Sequence, residues 1–299
     1  MKNNTAKLSF LAQIEPLLFL LPFIIGLFIF TVYPFVNVIL ISFRENYRIL
    51  SGTSTGIGFE NYRYIFSDRD FISALRNTSI YVVCTVPIST ALSLFFAVML
   101  NQKLMFTPFF QTSFFMPMVT SVTAVGLVWK WFYNFDFGLF NYIFSLFGIR
   151  AINWLNDPKF ALTSIIIYGI WSILPFTIIL ILSGLQSVNP QYNVAAKVDG
   201  ASALLIFRRI TLPLLAPTIG LVIIINVIST SKVFMELFPL FNGMPGPGFS
   251  LYTVVYYIYD MFYLKWRLGP AAASAVILFL IVFAFTMGQL FIQRKWKHY

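Results

Sequence analysis

Six long stretches of this chain carry almost no charge, and links holding most of the acidic and basic residues separate them. A helix needs about 20 mostly apolar residues to cross roughly 30 Å of bilayer hydrocarbon. The stretches at about 16–43, 77–100, 108–129, 161–184, 214–240 and 271–293 are therefore each predicted to span a membrane. An even number of spans puts both chain ends on one side. Pro34, Pro87, Pro117 and Pro175 lie within spans and predict tilts or kinks, because neighbouring helices can satisfy the carbonyls that proline releases. The first stretch follows Lys2 and Lys7, as a signal peptide would, but it exceeds an h-region of about 7–15 residues and more spans follow. It reads as an uncleaved first helix.

Orientation follows from lysine and arginine near span ends. With the termini inside, the inner segments at about 1–14, 101–107, 185–213 and 294–299 hold Lys2, Lys7, Lys103, Lys197, Arg208, Arg209, Arg294, Lys295 and Lys297. Against these stands the acid Asp199, with Glu15 at the boundary. The outer links hold ten basic residues but also seven acids, over a greater total length. Both termini are therefore expected in the cytoplasm. The outer links are rich in aromatics such as Tyr62, Tyr64, Phe66, Trp154, Tyr256 and Tyr257, which suits the membrane interface.

Composition agrees: 59% of the 299 residues are apolar and 10% charged, with a mean hydropathy of +0.83. Lipid is the solvent for most of such a chain. The formal charge of +10 would suggest nucleic acid in a soluble protein, but the basic residues sit in short links without forming a stripe, and no nucleic-acid partner is expected. Cys84 lies inside an apolar run and is alone, so no intrachain disulfide or paired-cysteine metal site can form; His298 is the sole histidine. No internal repeat or low-complexity tail appears, so 1–299 is expected to be one membrane domain.

The most informative segment is the inner loop SVNPQYNVAAKVDGASALLIFRRITLPLLAP, from Ser187 to Pro217. Asn189 with Pro190 can open a short helix through Ala195 and Ala196, Gly200 can supply a left-handed turn, and Ala201 onward can begin a second helix. Pro213 marks re-entry into the membrane. Small residues would let a partner's backbone approach closely, so this has the form of a docking element. An amphipathic helix pair lying in the interface fits the same residues.

This loop resembles the signature cytoplasmic loop of binding-protein-dependent ABC importer permeases. Ala195, Ala196, Asp199, Gly200, Ala201, Phe207, Ile210, Leu212 and Pro213 match that pattern, whereas Val194 stands where the family usually has glutamate. The chain is further similar to the carbohydrate-uptake branch, the maltose-permease type. The similarity covers GFENYRYIFSDRDFISALRNT from Gly58, GLQSVNP at the end of the fourth span, and SKVFMELFPLFNGMPG with TVVYYIYDMFY beyond the fifth.

The resemblance implies an all-α, polytopic membrane bundle of the ABC type I importer permease fold, in a bacterial cytoplasmic membrane. It implies as partners a second, related permease chain, two ATPase subunits and an extracytoplasmic solute-binding protein, with lipid around the bundle. The chain has no G-x-x-x-x-G-K-[ST] phosphate loop. No cofactor is expected on it, ATP and Mg belonging to the partner ATPase, and the chain is expected not to be an enzyme. Sugar is the branch's usual solute; an oligosaccharide, an acidic sugar or a glycerol phosphate would fit the same pattern.

Ionisable groups within a span usually face the bundle interior. Asn226, Ser229, Lys232 and Glu236 are spaced by three, three and four residues, which predicts one helical face and a candidate solute pathway. Alternatively, Lys232 and Glu236 neutralise each other while Asn226 and Ser229 join helices. Lys130 between Trp129 and Trp131 is either a rim or an interface anchor, and Trp171 fits packing better than a sugar platform. A secondary transporter or channel, the competing class, would often show inverted repeats. A membrane enzyme would show clustered His, Cys or carboxylates, absent here.

Overall fold

A computed structural model describes residues 19–48, 51–102 and 107–296. Lys2, Lys7, Glu15, Lys103, Lys297 and His298, and the side chains of Arg294 and Lys295, fall outside the described residues. By its internal contacts the chain forms two compact units, residues 1–67 with 258–277, and 68–257 with 278–299.

The first unit begins with α1, Phe19–Phe43, whose apolar window has no buried residue. A short hairpin follows, β1 (Arg44–Glu45) against β2 (Gly56–Ile57), and then α2, Glu60–Ser67. Buried Asn61 organises this corner: its Nδ2 donates to the carbonyls of Ser42 and Arg44, each at 2.9 Å. The Ser42 and Tyr62 hydroxyls hydrogen-bond at 2.7 Å.

The second unit holds most of the remaining helices, the last two of which also have residues in the first unit. α3 (Arg69–Leu100) starts at Asp68, whose side chain accepts from the Asp70 amide; α7 (Pro158–Ser187) starts in the same way at Asp157, with Pro158 in its first turn. These caps explain why both helices begin before the apolar stretches that mark them. Between them come α4 (Thr107–Val119), α5 (Val122–Phe132) and α6 (Leu139–Leu146). After α7 come α8 (Pro190–Val198), α9 (Ala203–Thr230), α10 (Leu237–Phe241), α11 (Val254–Tyr259) and α12 (Leu268–Trp296).

α3 packs along α7, and α9 lies against both. Thr85, Ser89, Ser93 and Ala97, four residues apart on α3, are buried, so small side chains let the backbones approach. Nearer the end that carries the 187–217 loop, Ala97, Leu100, Ile178, Ile181, Leu182, Leu185, Leu215 and Val222 form one apolar cluster.

Two expected spans differ. The stretch predicted at 108–129 is not one straight helix: α4 and α5 meet at a 104° bend. Pro117 has no amide to donate, the Thr120 amide closes a tight turn on the Pro117 carbonyl, and Ser121 is extended. The stretch predicted at 214–240 instead begins inside the polar loop at Ala203 and ends at Thr230. There the Thr230 and Ser231 hydroxyls bond back to the carbonyls of Asn226 and Val227, both at 2.7 Å, competing with helix propagation.

Pro87 and Pro175 leave their helices unbroken, while Pro34 and Pro213 each follow a π-helical turn, Phe28–Val32 and Phe207–Thr211. A proline ring crowds the carbonyl four residues earlier, and a widened turn relieves that crowding.

α12 docks on α9 through Gly220, whose carbonyl accepts from Gln289 Nε2 at 2.8 Å. A Cβ at Gly220 would collide with the Gln293 amide. Gly220→Val is expected to cost about 1–3 kcal/mol by overpacking, read as a lowered midpoint of thermal unfolding in detergent; an unchanged midpoint would mean that α12 shifts freely.

Candidate functional site

The loop between α7 and α9 folds as its sequence predicts. Asn189 accepts from the Gln191 amide at 3.0 Å and Pro190 occupies the first turn of α8. At the other end Gly200 is left-handed, at φ +79. The Ala201 amide donates to the Ala196 carbonyl (2.9 Å) and the Gly200 amide to that of Lys197 (3.1 Å), the paired bonds of a Schellman turn. Ser202 then caps α9, accepting from Leu205 at 3.4 Å.

Of the signature residues, Ala196 is buried, Ala201 and Phe207 are half-buried, and Ala195, Asp199, Gly200 and Pro213 are exposed. The exposed surface is apolar at Tyr192, Val194 (61% exposed), Val198 (82%) and Leu204, with Lys197, Arg208 and Arg209 beside it. Val194 thus places a branched apolar group in the open where the resemblance expects a carboxylate.

The four residues expected on one face of the fifth span are divided by its end. Asn226 is 2% exposed and pairs with Thr177 of α7, its Nδ2 donating to Thr177 Oγ1 at 3.1 Å. Ser229 lies on the exposed side of the last turn. Lys232 and Glu236 follow the helix end, so the single-face arrangement is not formed. Nor is the Lys232–Glu236 ion pair: Glu236 Oε2 accepts from the Phe234 amide at 3.0 Å, and the sole salt bridge among the described residues joins Lys265 to Asp260. Half-buried Glu236 lies near Tyr81 of α3 and Tyr168 of α7. Sequence periodicity missed these two tyrosines, because they come from other helices.

Lys130, in the last turn of α5, donates to Asn242 Oδ1 at 2.8 Å. Trp129 is buried among rings, with Tyr168 at 5.6 Å and Trp171 at 5.4 Å, whereas Trp131 is exposed. Trp129 and Trp171 therefore pack against each other. Beyond α5, the buried Tyr133 hydroxyl donates to the Ser164 carbonyl at 2.7 Å, and burial pushes this phenol above its ordinary pKa.

The long apolar helices form a multi-pass bundle with a capped helix–turn–helix between α7 and α9. Residues 71–298 match the family described as binding-protein-dependent transport system inner membrane component, and the chain belongs to it. The family expected from the 187–217 loop is thus borne out. The chain is 30% identical to the trehalose/maltose transport system permease protein MalF of Thermococcus litoralis, over 98% of this chain and 99% of that one. It is 31% identical to the arabinooligosaccharides transport system permease protein AraP of Halalkalibacterium halodurans, over 95% and 89%. Its fold matches a chain of a bacterial ABC transporter involved in import of the acidic polysaccharide alginate, with TM-score 0.81, 24% identity and coverage of 96% and 99%. It also matches a chain of a bacterial alginate ABC transporter in complex with an alginate pentasaccharide-bound periplasmic protein, with TM-score 0.82, 23% identity and 96% coverage of each chain. The expected all-α importer-permease fold is borne out as well.

Proposed function

We propose that this chain is the membrane-spanning permease subunit of an ATP-driven importer that takes a carbohydrate from an extracytoplasmic binding protein and passes it inward by alternating access. The observation that carries this is the segment from Asn189 to Pro213: a capped helix, a left-handed glycine turn and an exposed apolar surface running without interruption into a membrane-spanning helix. An element of that form suits docking on a separate ATPase subunit, which would bind the ATP and Mg. Ala195, Ala196, Asp199, Gly200, Ala201, Phe207 and Pro213 form the coupling loop, and Val194 makes its contact apolar. The basic excess of the inner segments favours a cytoplasmic loop and cytoplasmic termini.

The carbohydrate class is supported by the trehalose/maltose and arabinooligosaccharide names of the full-length relatives. Of the pathway candidates, Ser229, Lys232 and Glu236 keep that role with Tyr81 and Tyr168 beside them, while Asn226 serves α7–α9 packing through Thr177. A second permease chain completes the passage, and lipid surrounds both. Purification from the native membrane in mild detergent, followed by mass spectrometry, tests this. Co-purification of a stoichiometric ATPase, a second permease and a solute-binding protein is expected; a homogeneous chain active in uptake without an ATPase would replace it by secondary transport.

A further inference from the structure

A cavity of about 470 Å³ opens among the end of α5, the segment just before α7 and the turn after α10. All three lie at the helix ends remote from the coupling loop, because α7 runs from Pro158 toward Ser187 and α9 from Ala203 toward Thr230. Sites for small molecules run from about 300 to 1,000 Å³.

The polar lining is Lys130, Asn134, Asp136, Asn153, Asn156 and Asn242. The four carboxamides offer amide donors, and Asn156 with the remaining lone pairs of Asn153 and Asn242 offers acceptors, the pattern that hydroxyl groups satisfy. The lysine and aspartate are the charged lining residues and cancel, which favours a neutral ligand over a phosphate or sulfate. Phe135, 46% exposed, adds ring surface for the C–H face of a sugar.

The walls are fixed before any ligand arrives. Asn134 Oδ1 accepts from the amides of Asp136 (2.9 Å) and Phe137 (3.2 Å), and Asn153 Oδ1 accepts from Asn156 (3.3 Å). Each asparagine thereby holds its Nδ2 in a set direction. Asn242 is left-handed at φ 56, flanked by Gly243 at φ 73, so the turn presents its carboxamide toward Lys130. Beneath lies buried Asn141, whose four hydrogen bonds tie Phe135 to Ile152 and Trp154.

We propose that this cavity is a saccharide subsite at the outer mouth of the permease, which holds a neutral, hydroxyl-rich solute between its release from the binding protein and its entry among the spans. The assignment rests on the importer reading for its side of the membrane and its solute class. Asn156, exposed and without a side-chain hydrogen bond among the described residues, is a position where a reporter leaves the fold intact.

The assembled transporter carrying Asn156→Cys on a Cys84→Ala background is placed in nanodiscs and labelled with a maleimide, without binding protein. Maltose, trehalose and arabinotriose are the probes, against glycine betaine at equal osmolarity. At least one sugar is expected to slow labelling by about threefold or more, the effect of two-thirds occupancy. Met244→Cys, on the facing wall, repeats the measurement should the first reporter itself weaken binding. Equal rates with all sugars at both positions would overturn the subsite. Protection by sugar-free binding protein alone would also overturn it, making the cavity a protein dock. Loss of the importer reading would show separately, as absence of the ATPase from the purified material.

Discussion

Uptake by transporter carrying Gly200→Val is expected to fall by about tenfold or more while the complex still assembles. At φ +79, a Cβ on Gly200 would meet nothing within 4 Å, so the penalty is conformational and not steric. A β-branched residue held in the left-handed region costs about 1–3 kcal/mol, and every 1.4 kcal/mol is about tenfold in an equilibrium. The chain can escape that strain by opening the turn, which breaks the Ala201–Ala196 bond and frees α8 from α9. Gly200→Asn, whose side chain tolerates the left-handed region, is expected to keep most of the uptake. The measurement is solute uptake per ATP hydrolysed; equal coupling in Gly200→Val and wild type would remove this turn from the mechanism.

Asn141→Leu is expected to cost about 3 kcal/mol or more, because each buried polar group left unpaired costs about 1–3 kcal/mol. Asn141 is 6% exposed. Its Nδ2 donates to the carbonyls of Phe135 and Ile152, both at 3.0 Å, and its Oδ1 accepts from the Ile152 amide and Trp154 Nε1, both at 3.1 Å. A leucine of similar size fills the space and abandons all four partners. Asn141→Asp keeps the acceptor and loses the donors, so its loss is intermediate. Thermal unfolding followed by tryptophan fluorescence reads the series, in which Trp154 reports locally. Equal midpoints for all three proteins would show that water replaces the carboxamide.

The residues legible in advance were those whose signal is local. Asn189, Pro190 and Gly200 each act on the backbone beside them, so the helix–turn–helix between α7 and α9 could be placed from its sequence. The apolar stretches found the spans for the same reason. Hydropathy failed where Thr120–Ser121 bends the third span and where Thr230–Ser231 ends the fifth. Threonine and serine are nearly neutral on such scales, and what they do there is donate hydroxyls to helix carbonyls or leave the helical region, neither of which an average over 18 residues registers. The single-face expectation for Lys232 and Glu236 failed with the helix it assumed. Asn141, Tyr81 and Tyr168 were hidden for a different reason, since each acquires its role from partners on separate segments.

The uninterrupted course of α9 also has a mechanical meaning. Its 28 residues, at about 1.5 Å each, make a rod of roughly 42 Å. One end is fixed to the Gly200 turn and the other carries Ser229. Each degree of tilt imposed at the turn therefore sweeps the far end through roughly 0.7 Å on a rod of that length. A tilt of about three degrees would move Ser229 by roughly 2 Å, the width of a hydroxyl group, so on the proposed mechanism a small displacement at the loop would be felt at the far end of the span.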